Sequence, residues 1–398
     1  MPKTVKPLKA TYYNPAIFKD YSRLVSPPYD VINKDKLKSL RKKSPYNYSR
    51  VLLADRGDYK QVAVRLKKWL DSQILVDDQS ESFYIYEQTF KVEGKTFRRF
   101  GVFSLLRMDK KGIFPHEHTL SAPKKDRKAI IESTKANLGP IFVIATKELN
   151  KLKKVYNNCR QQKPLFKCQD SFTGLNKVWK ISDKRQVASI CQDISNSKIV
   201  IADGHHRFET SFNYFKNNKD KFKDLNYVLA YITPPQEGLV ILPTHRVLAA
   251  NKSTALIPDK LKKYFRIEKI SKSGLDKKLK SRGPFCLGLY HQDKFLFLEL
   301  KDERLLDRIP NKLFRQLDTY IFHKLILPMF KLDGAIEYTH SLAEAKKMAG
   351  KTKIGFLLRA VPLETVLKIS RKGFKFPQKS TYFYPKILSG LLIRRFGV

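Results

Sequence analysis

The sequence predicts an α+β protein, and three observations carry that expectation. Short strand-like runs and helical segments are mixed without the regular alternation of a doubly wound sheet. No GxxxxGK[ST] or GxGxxG loop is present, so neither a P-loop nor a Rossmann reading has a motif behind it. One apolar run, Ile199-Val200-Ile201-Ala202, reads as a buried strand ending at a polar Gly turn with helical spacing beyond it. A chain of 398 residues has room for two domains, and the tone of the sequence changes past Val247. The expected division is 1–250 and 251–398.

The elements follow in order. Ser26-Pro27-Pro28-Tyr29-Asp30-Val31-Ile32 reads as a Pro-rich turn running toward a short basic helix, Lys34 to Lys43. Gly57 to Leu70 carries Val62, Val64, Leu66, Trp69 and Leu70 at amphipathic-helix spacing. Phe83–Phe90 and Thr96–Leu106 read as strands of a hairpin closed at Glu93-Gly94-Lys95. Residues 113–142 are dense in polar chemistry, and a strand resumes at Ile141–Thr146. A helix is expected around Arg185–Asp193. A second hairpin is expected from Tyr227–Thr233 and Gly238–Leu242, with Pro234-Pro235 in its turn. Beyond it, Leu256–Phe265, Leu275–Leu279 and Asp318–Leu327 read as helices, and Cys286–Tyr290, Phe295–Leu300 and Lys353–Leu358 as strands. The sequence shows no internal repeat and no low-complexity tract.

Composition narrows the function classes. Hydrophobic residues at 42% and aromatics at 12% belong to a folded protein. No apolar run reaches the ~20 residues of a membrane span, so no membrane is expected. Met1–Ala10 lacks the apolar core of a secretory signal. Cys159, Cys168, Cys191 and Cys286 are scattered, with no CxxC pair, and read as free thiols in a reducing compartment. The cytoplasm is the expected location. The net charge of +42 would draw nucleic acid, anionic lipid or phosphorylated substrates. Lysine supplies most of it, spread along the chain at spacings of exposed helix faces. Genome composition accounts for that pattern, and no specific nucleic-acid partner is expected.

The chemistry concentrates at Asp203-Gly204-His205-His206-Arg207. A strand, a Gly turn and a helix start present backbone N–H groups and the positive end of the helix dipole to an anion. His205, His206 and Arg207 add donors suited to phosphate oxygens, and Asp203 is a candidate ligand for Mg²⁺. Phosphoryl transfer needs held phosphates, neutralised charge and an aimed nucleophile. Glu117, flanked by His116 and His118 after Pro115, is the leading candidate base for a hydroxyl acceptor. Lys124, Asp126 and Arg127 form a second charged cluster close behind. A His116/His118/His205/His206 metal site is disfavoured, because HxH and HH lack the i, i+4 spacing of a zincin helix.

Ala202–Arg207 resembles the signature of the ParB/sulfiredoxin-like fold, in particular its free-serine kinase branch. Pro115-His116-Glu117 and Lys379-Ser380-Thr381 sit in the order of that branch's other motifs. Taken whole, the chain is similar to the family catalogued as domain of unknown function 1015. The supporting stretches are SPPYDVI at 26–32, PHEHT at 115–119, APKKDR at 122–127, KANLGPIF at 135–142, ADGHHRFET at 202–210 and KSTYFYPK at 379–386.

The resemblance implies a small-molecule kinase acting on free L-serine, with pyrophosphate, ADP or ATP as donor. It implies Glu117 as base and His116, Lys379, Ser380 and Thr381 at the acceptor. Gly204, His205, His206 and Arg207 then face the donor phosphates. The spacing between Glu117 and Asp203 exceeds that of the compact archaeal serine kinases, so 121–198 is expected to be an insertion. Its Lys124, Lys125 and Arg127 would suit a small, highly charged donor. Tyr382 and Phe383 stand where those kinases carry basic side chains. The rival readings are a ParB-like nucleotide- or nucleic-acid-binding protein and a non-catalytic phosphometabolite sensor.

Overall fold

A computed structural model describes residues 4–109, 112–117, 122–249, 257–281, 285–329 and 336–397. The chain divides into two units, one made of Met1–Val240 with Pro385–Val398 and the other of Ile241–Tyr384.

In the first unit, strands β1 (Val5–Lys6), β2 (Thr11–Tyr13) and β3 (Leu75–Asp77) frame helices α1 (Lys34–Lys43), α2 (Ser49–Leu52) and α3 (Tyr59–Asp71). Asn33 and Asp58 cap α1 and α3 by accepting from the amides of Lys36 and Gln61, which satisfies helix-start donors. Strands β4 (Phe83–Val92) and β5 (Lys95–Arg107) form the expected hairpin. Glu93 and Gly94 take φ of 48° and 81°, the left-handed pair of a tight hairpin turn. Then come β6 (Ile113–Pro115), α4 (Ala122–Thr134), β7 (Ala136–Asn137), β8 (Ile141–Ala145), α5 (Asn150–Cys159), β9 (Phe166–Asp170), β10 (Gly174–Ile181) and α6 (Lys184–Ser195). The site region follows with β11 (Ile199–Asp203), α7 (His205–Asn217) and β12 (Tyr227–Thr233).

These strands build a large mixed sheet in the order β6-β11-β8-β12-β5-β4-β10-β9, with β1 also on β5. β8 and β12 are buried along their whole length and β11 over its first four residues, as their unbroken apolar runs require of strands covered on both faces. The core gathers Val143, Ile201, Val228, Ala230 and Ile232 with Leu152, Ile190 and Phe208 from helices. Residues 121–198 are built into this sheet. They supply β8, between β11 and β12, together with β9 and β10.

The second unit opens at Ile241, within β13 (Val240–Leu242), and β13 pairs with β20 (Tyr382–Tyr384). The second hairpin expected from the sequence does not form, because β12 is taken on its two sides by β5 and β8. The rest of the unit comprises β14 (His245–Ala249), α8 (Ile257–Lys262), β15 (Phe265–Ile270), α9 (Lys272–Ser281), β16 (Cys286–His291), β17 (Lys294–Leu300), α10 (Asp318–Ile321), β18 (Glu337–Thr339), α11 (Leu342–Ala349), β19 (Lys353–Leu357) and α12 (Leu363–Arg371). Its sheet is antiparallel throughout, ordered β15-β17-β16-β19-β14-β18, over a core that includes Val247, Leu275, Phe297 and Leu357. The helix expected up to Phe265 stops at Lys262, and Phe265 instead starts β15 as a fully buried residue.

The chain end differs from the expected division. Pro385–Val398 belongs to the first unit, where β21 (Arg394–Arg395) pairs with β7. Among the described residues no helix is long and apolar enough to cross a membrane, and all four cysteines are free thiols.

Candidate functional site

Two neighbouring strands of the first unit position the site. β6 and β11 run parallel, with Ile113 beside Ile199 and Pro115 beside Ile201. Their C-terminal ends therefore point the same way and deliver His116-Glu117 and Asp203-Gly204 to one place. The pairing of β11 with β8 shifts register between Ile201 and Asp203, a bulge at Ala202 beyond which Asp203 still pairs with Phe142.

Gly204 sits at φ +89° and caps α7, and the Phe208 amide donates to its carbonyl at 2.9 Å. A side chain there would be strained, and its Cβ would stand 3.1 Å from Arg207 Nε. Gly204→Ala is expected to cost about 1–2 kcal/mol for the left-handed backbone alone. It should also push Arg207 off its partners, and a urea midpoint identical to wild type would refute this. The amides of the first turn of α7 have no intrahelical acceptor, which makes the turn an anion-binding geometry.

Arg207 anchors that geometry. Its Nη2 donates to Asp203 Oδ2 at 2.6 Å and its Nη1 donates to the Pro140 carbonyl, while its Nε is buried without a hydrogen-bond partner among the described residues. Asp203 Oδ1 meets Lys386 Nζ at 2.8 Å, and the same ammonium pairs with Asp30. Burial alone would raise the Asp203 carboxyl, yet Lys386 and Arg207 outweigh it and hold it well below the usual carboxylate range. Burial would likewise lower Lys386, and Asp203 and Asp30 instead hold it well above an ordinary lysine. Asp30 comes from the SPPYDVI turn, Pro140 from the KANLGP stretch, and Lys386 from the end of KSTYFYPK. A cleft lined by Tyr29, Arg127, Gly139, Arg207, Ser211 and Ser389 opens beside them.

His116 is fully buried, and its Nδ1–H donates to the Ile201 carbonyl. Its backbone N–H donates to His205 Nε2 at 3.3 Å, and the two rings meet edge-to-face with centroids 4.7 Å apart. Burial lowers the His116 pKa to about 4, so the ring is neutral at pH 7. The 4.0 Å approach of His116 Nε2 to Glu117 Oε2 is therefore no ion pair at that pH.

His116 makes the fold acid-sensitive. A group whose folded pKa lies below its unfolded value contributes most stability when neutral in both states. That contribution falls as pH drops through 6.5 toward 4, because only the unfolded chain takes up the proton. From pH 7.5 to pH 5 the expected loss from His116 alone is about 2 kcal/mol. His245 and His323, also lowered to about 4 by burial, act in the same direction in the second unit. Urea midpoints at the two pH values check this, and a His116→Gln variant should lose part of the dependence.

The other residues named from sequence divide by location. Arg127 is buried, stacks on Tyr29 with its guanidinium 4.1 Å from the ring centre, and commits its donors to Asp126 and the Leu52 carbonyl. The geometry makes it a strut between α4 and the Tyr29 turn that also lines the cleft. Lys124 lies on α4 with its side chain outside the described part, and His118 lies outside the described residues. His206 occupies the first turn of α7. Lys379, Ser380 and Thr381 lie in the second unit. There the Lys379 carbonyl accepts from Arg246 Nη2 at 3.0 Å, and the buried Ser380 hydroxyl donates to the Pro377 carbonyl at 2.6 Å.

Asp203 does not fit the resident Mg²⁺ ligand expected of it. Both its oxygens face cations, and a divalent ion there would be repelled by Lys386 and Arg207 at short range. Among the described residues no cluster of three His, Cys, Asp or Glu side chains could hold a metal.

One comparison with known proteins shows the family. The model of the family described as Protein of unknown function (DUF1015) matches residues 5–320. No curated protein matches the sequence. Among solved structures, a free serine kinase mutant in complex with AMP is similar at 14% identity and a TM-score of 0.38, over 70% of this chain and 86% of that one. C-terminally truncated SbnI from Staphylococcus aureus is similar at 10% identity and 0.39, over 72% and 85%. A conserved hypothetical protein from Pyrococcus furiosus is similar at 14% and 0.37, over 73% and 95%. With the family model covering most of its length, and with the family's motif stretches meeting at the ends of β6 and β11, this chain belongs to the DUF1015 family.

Proposed function

We propose that this protein is a phosphotransferase that moves a phosphoryl group from a small phosphate donor to the hydroxyl of a small molecule, with L-serine as the leading acceptor. Pyrophosphate, ADP or ATP is the donor, and the first unit carries a ParB/sulfiredoxin-like core. The observation that carries this reading is the meeting of Pro115-His116-Glu117 with Asp203–Arg207 at the shared end of two parallel strands, joined by the His116–His205 contact.

In the proposed reaction the donor phosphates lie on the first turn of α7. Its amides, His206 and Arg207 spread charge away from the transferring group. Glu117 accepts the acceptor's hydroxyl proton as that oxygen bonds to phosphorus. The bond from phosphorus to the bridging oxygen of the donor breaks, and its electron pair leaves with the departing phosphate or nucleotide. Neutral His116 holds the Glu117 loop against His205 without adding charge. A metal ion that accompanies the phosphates arrives as part of the donor. Lys379, Ser380 and Thr381 are assigned to the acceptor on the motif order alone.

Mass spectrometry tests the reaction directly. The protein is incubated with L-serine, MgCl₂ and, in turn, pyrophosphate, ADP or ATP. Phosphoserine formed with one donor is the expected result. Absence of phosphoserine with all three donors would reject L-serine as acceptor, and no product with a panel of other small alcohols would reject the phosphotransferase reading.

A further inference from the structure

We propose that Lys386 is a positioning residue of this site, its ammonium filling the place between Asp30 and Asp203 where a divalent cation would otherwise bind. The inference rests on the proposed function for its purpose but not for its test. Three observations carry it. Lys386 Nζ contacts both carboxylates, 2.8 Å from Asp203 Oδ1 and also paired with Asp30 Oδ2. Its side chain is 8% exposed, so the contact is built into the fold rather than draped on a surface. The second oxygen of Asp203 holds Arg207 at the α7 turn, so the ammonium, the carboxylate and the guanidinium form one chain of alternating charge.

Each link of that chain has a role. Two carboxylates close to an anion-binding turn would repel phosphate. Lys386 offsets one of these charges and Arg207 the other, so that the positive end of the α7 helix start faces the donor unopposed. A lysine does this with a fixed covalent tether, whereas a metal ion would have to be recruited and could leave with the product.

The test uses Mn²⁺ as the probe on the whole protein with no phosphate compound present, read by electron paramagnetic resonance of free Mn²⁺. The wild-type protein is expected to show no Mn²⁺ site that is lost in Asp203→Asn. Lys386→Ala and Lys386→Gln are expected to gain one site, with Kd about tenfold or more tighter than any wild-type binding, since one charge has been removed from short range. Adding Asp203→Asn to either variant should abolish the gain. Circular dichroism confirms that each variant is folded, and Gln is included because it keeps a donor toward the two carboxylates. A wild-type Mn²⁺ site that depends on Asp203 would overturn the proposal, as would a folded Lys386 variant that gains none. If neither variant folds, the wild-type and Asp203→Asn titrations decide it. Because no substrate is used, failure of the kinase reaction and failure of the Mn²⁺ prediction can be told apart.

Discussion

Glu117→Gln is expected to lower turnover by at least about 10²-fold, the usual worth of a positioned base. The amide keeps the size of the carboxylate and cannot accept the hydroxyl proton. Stability should change little, since the Glu117 side chain is partly exposed and its buried neighbour His116 keeps its own bond to the Ile201 carbonyl. Steady-state rates at saturating donor and acceptor separate this from a binding defect: kcat should fall while both KM values hold. A variant that retains most of its kcat would remove Glu117 from the chemistry. The folded state of the variant is checked by its urea midpoint, which should match wild type.

Lys386→Met is expected to destabilise the first unit by about 3–5 kcal/mol, because removing one partner of a buried ionic group leaves the other charges uncompensated. The methionine matches the length of the lysine stem, so lost packing is a minor part of the effect. The double variant with Asp203→Asn should recover part of the loss, since it removes the stranded carboxylate as well, and urea unfolding of the four species forms the cycle. Additive losses would mean that the two residues do not sense each other. The pH behaviour has a definite sign. The depressed Asp203 contributes above its unfolded value and loses this only as pH falls through its lower folded value. The raised Lys386 contributes below its unfolded value and loses this only as pH rises through its higher folded value. The pair is thus flat across neutral pH, and acid loss above pH 4 comes from the buried histidines.

The backbone frame of the candidate site was legible in the sequence because it is local. The run Ile199–Ala202 has the unbroken apolar character of a strand buried on both faces, and Gly204 can take the left-handed cap that the next helix needs. Helix α1 and the β4–β5 hairpin also form where periodicity and the Glu93-Gly94 turn place them. What was not legible is long-range pairing. Lys386 and Asp30 lie 356 positions apart, and in a chain with 79 Lys and Arg nothing local marks one lysine as buried. The sole signal was that both residues sit inside stretches already notable for composition, SPPYDVI and KSTYFYPK. The partners of Arg127 were not legible for a related reason: its residue type suits phosphate, and its bond to the Leu52 carbonyl is one that only the fold brings near. The second hairpin failed because turn signals at Pro234-Pro235 say nothing about which strands compete for β12, and β5 and β8 take both its edges.

The measurement that bears most directly on the whole account is a ³¹P NMR time course with L-serine, Mg²⁺ and the active donor, run on wild type and Glu117→Gln side by side. A phosphoserine resonance that grows with wild type, at the expense of the donor, and stays at baseline with the variant is the expected result. Equal growth in both samples, or donor loss that yields only inorganic phosphate in both, would contradict a phosphotransferase centred on Glu117 and the Asp203–Arg207 turn.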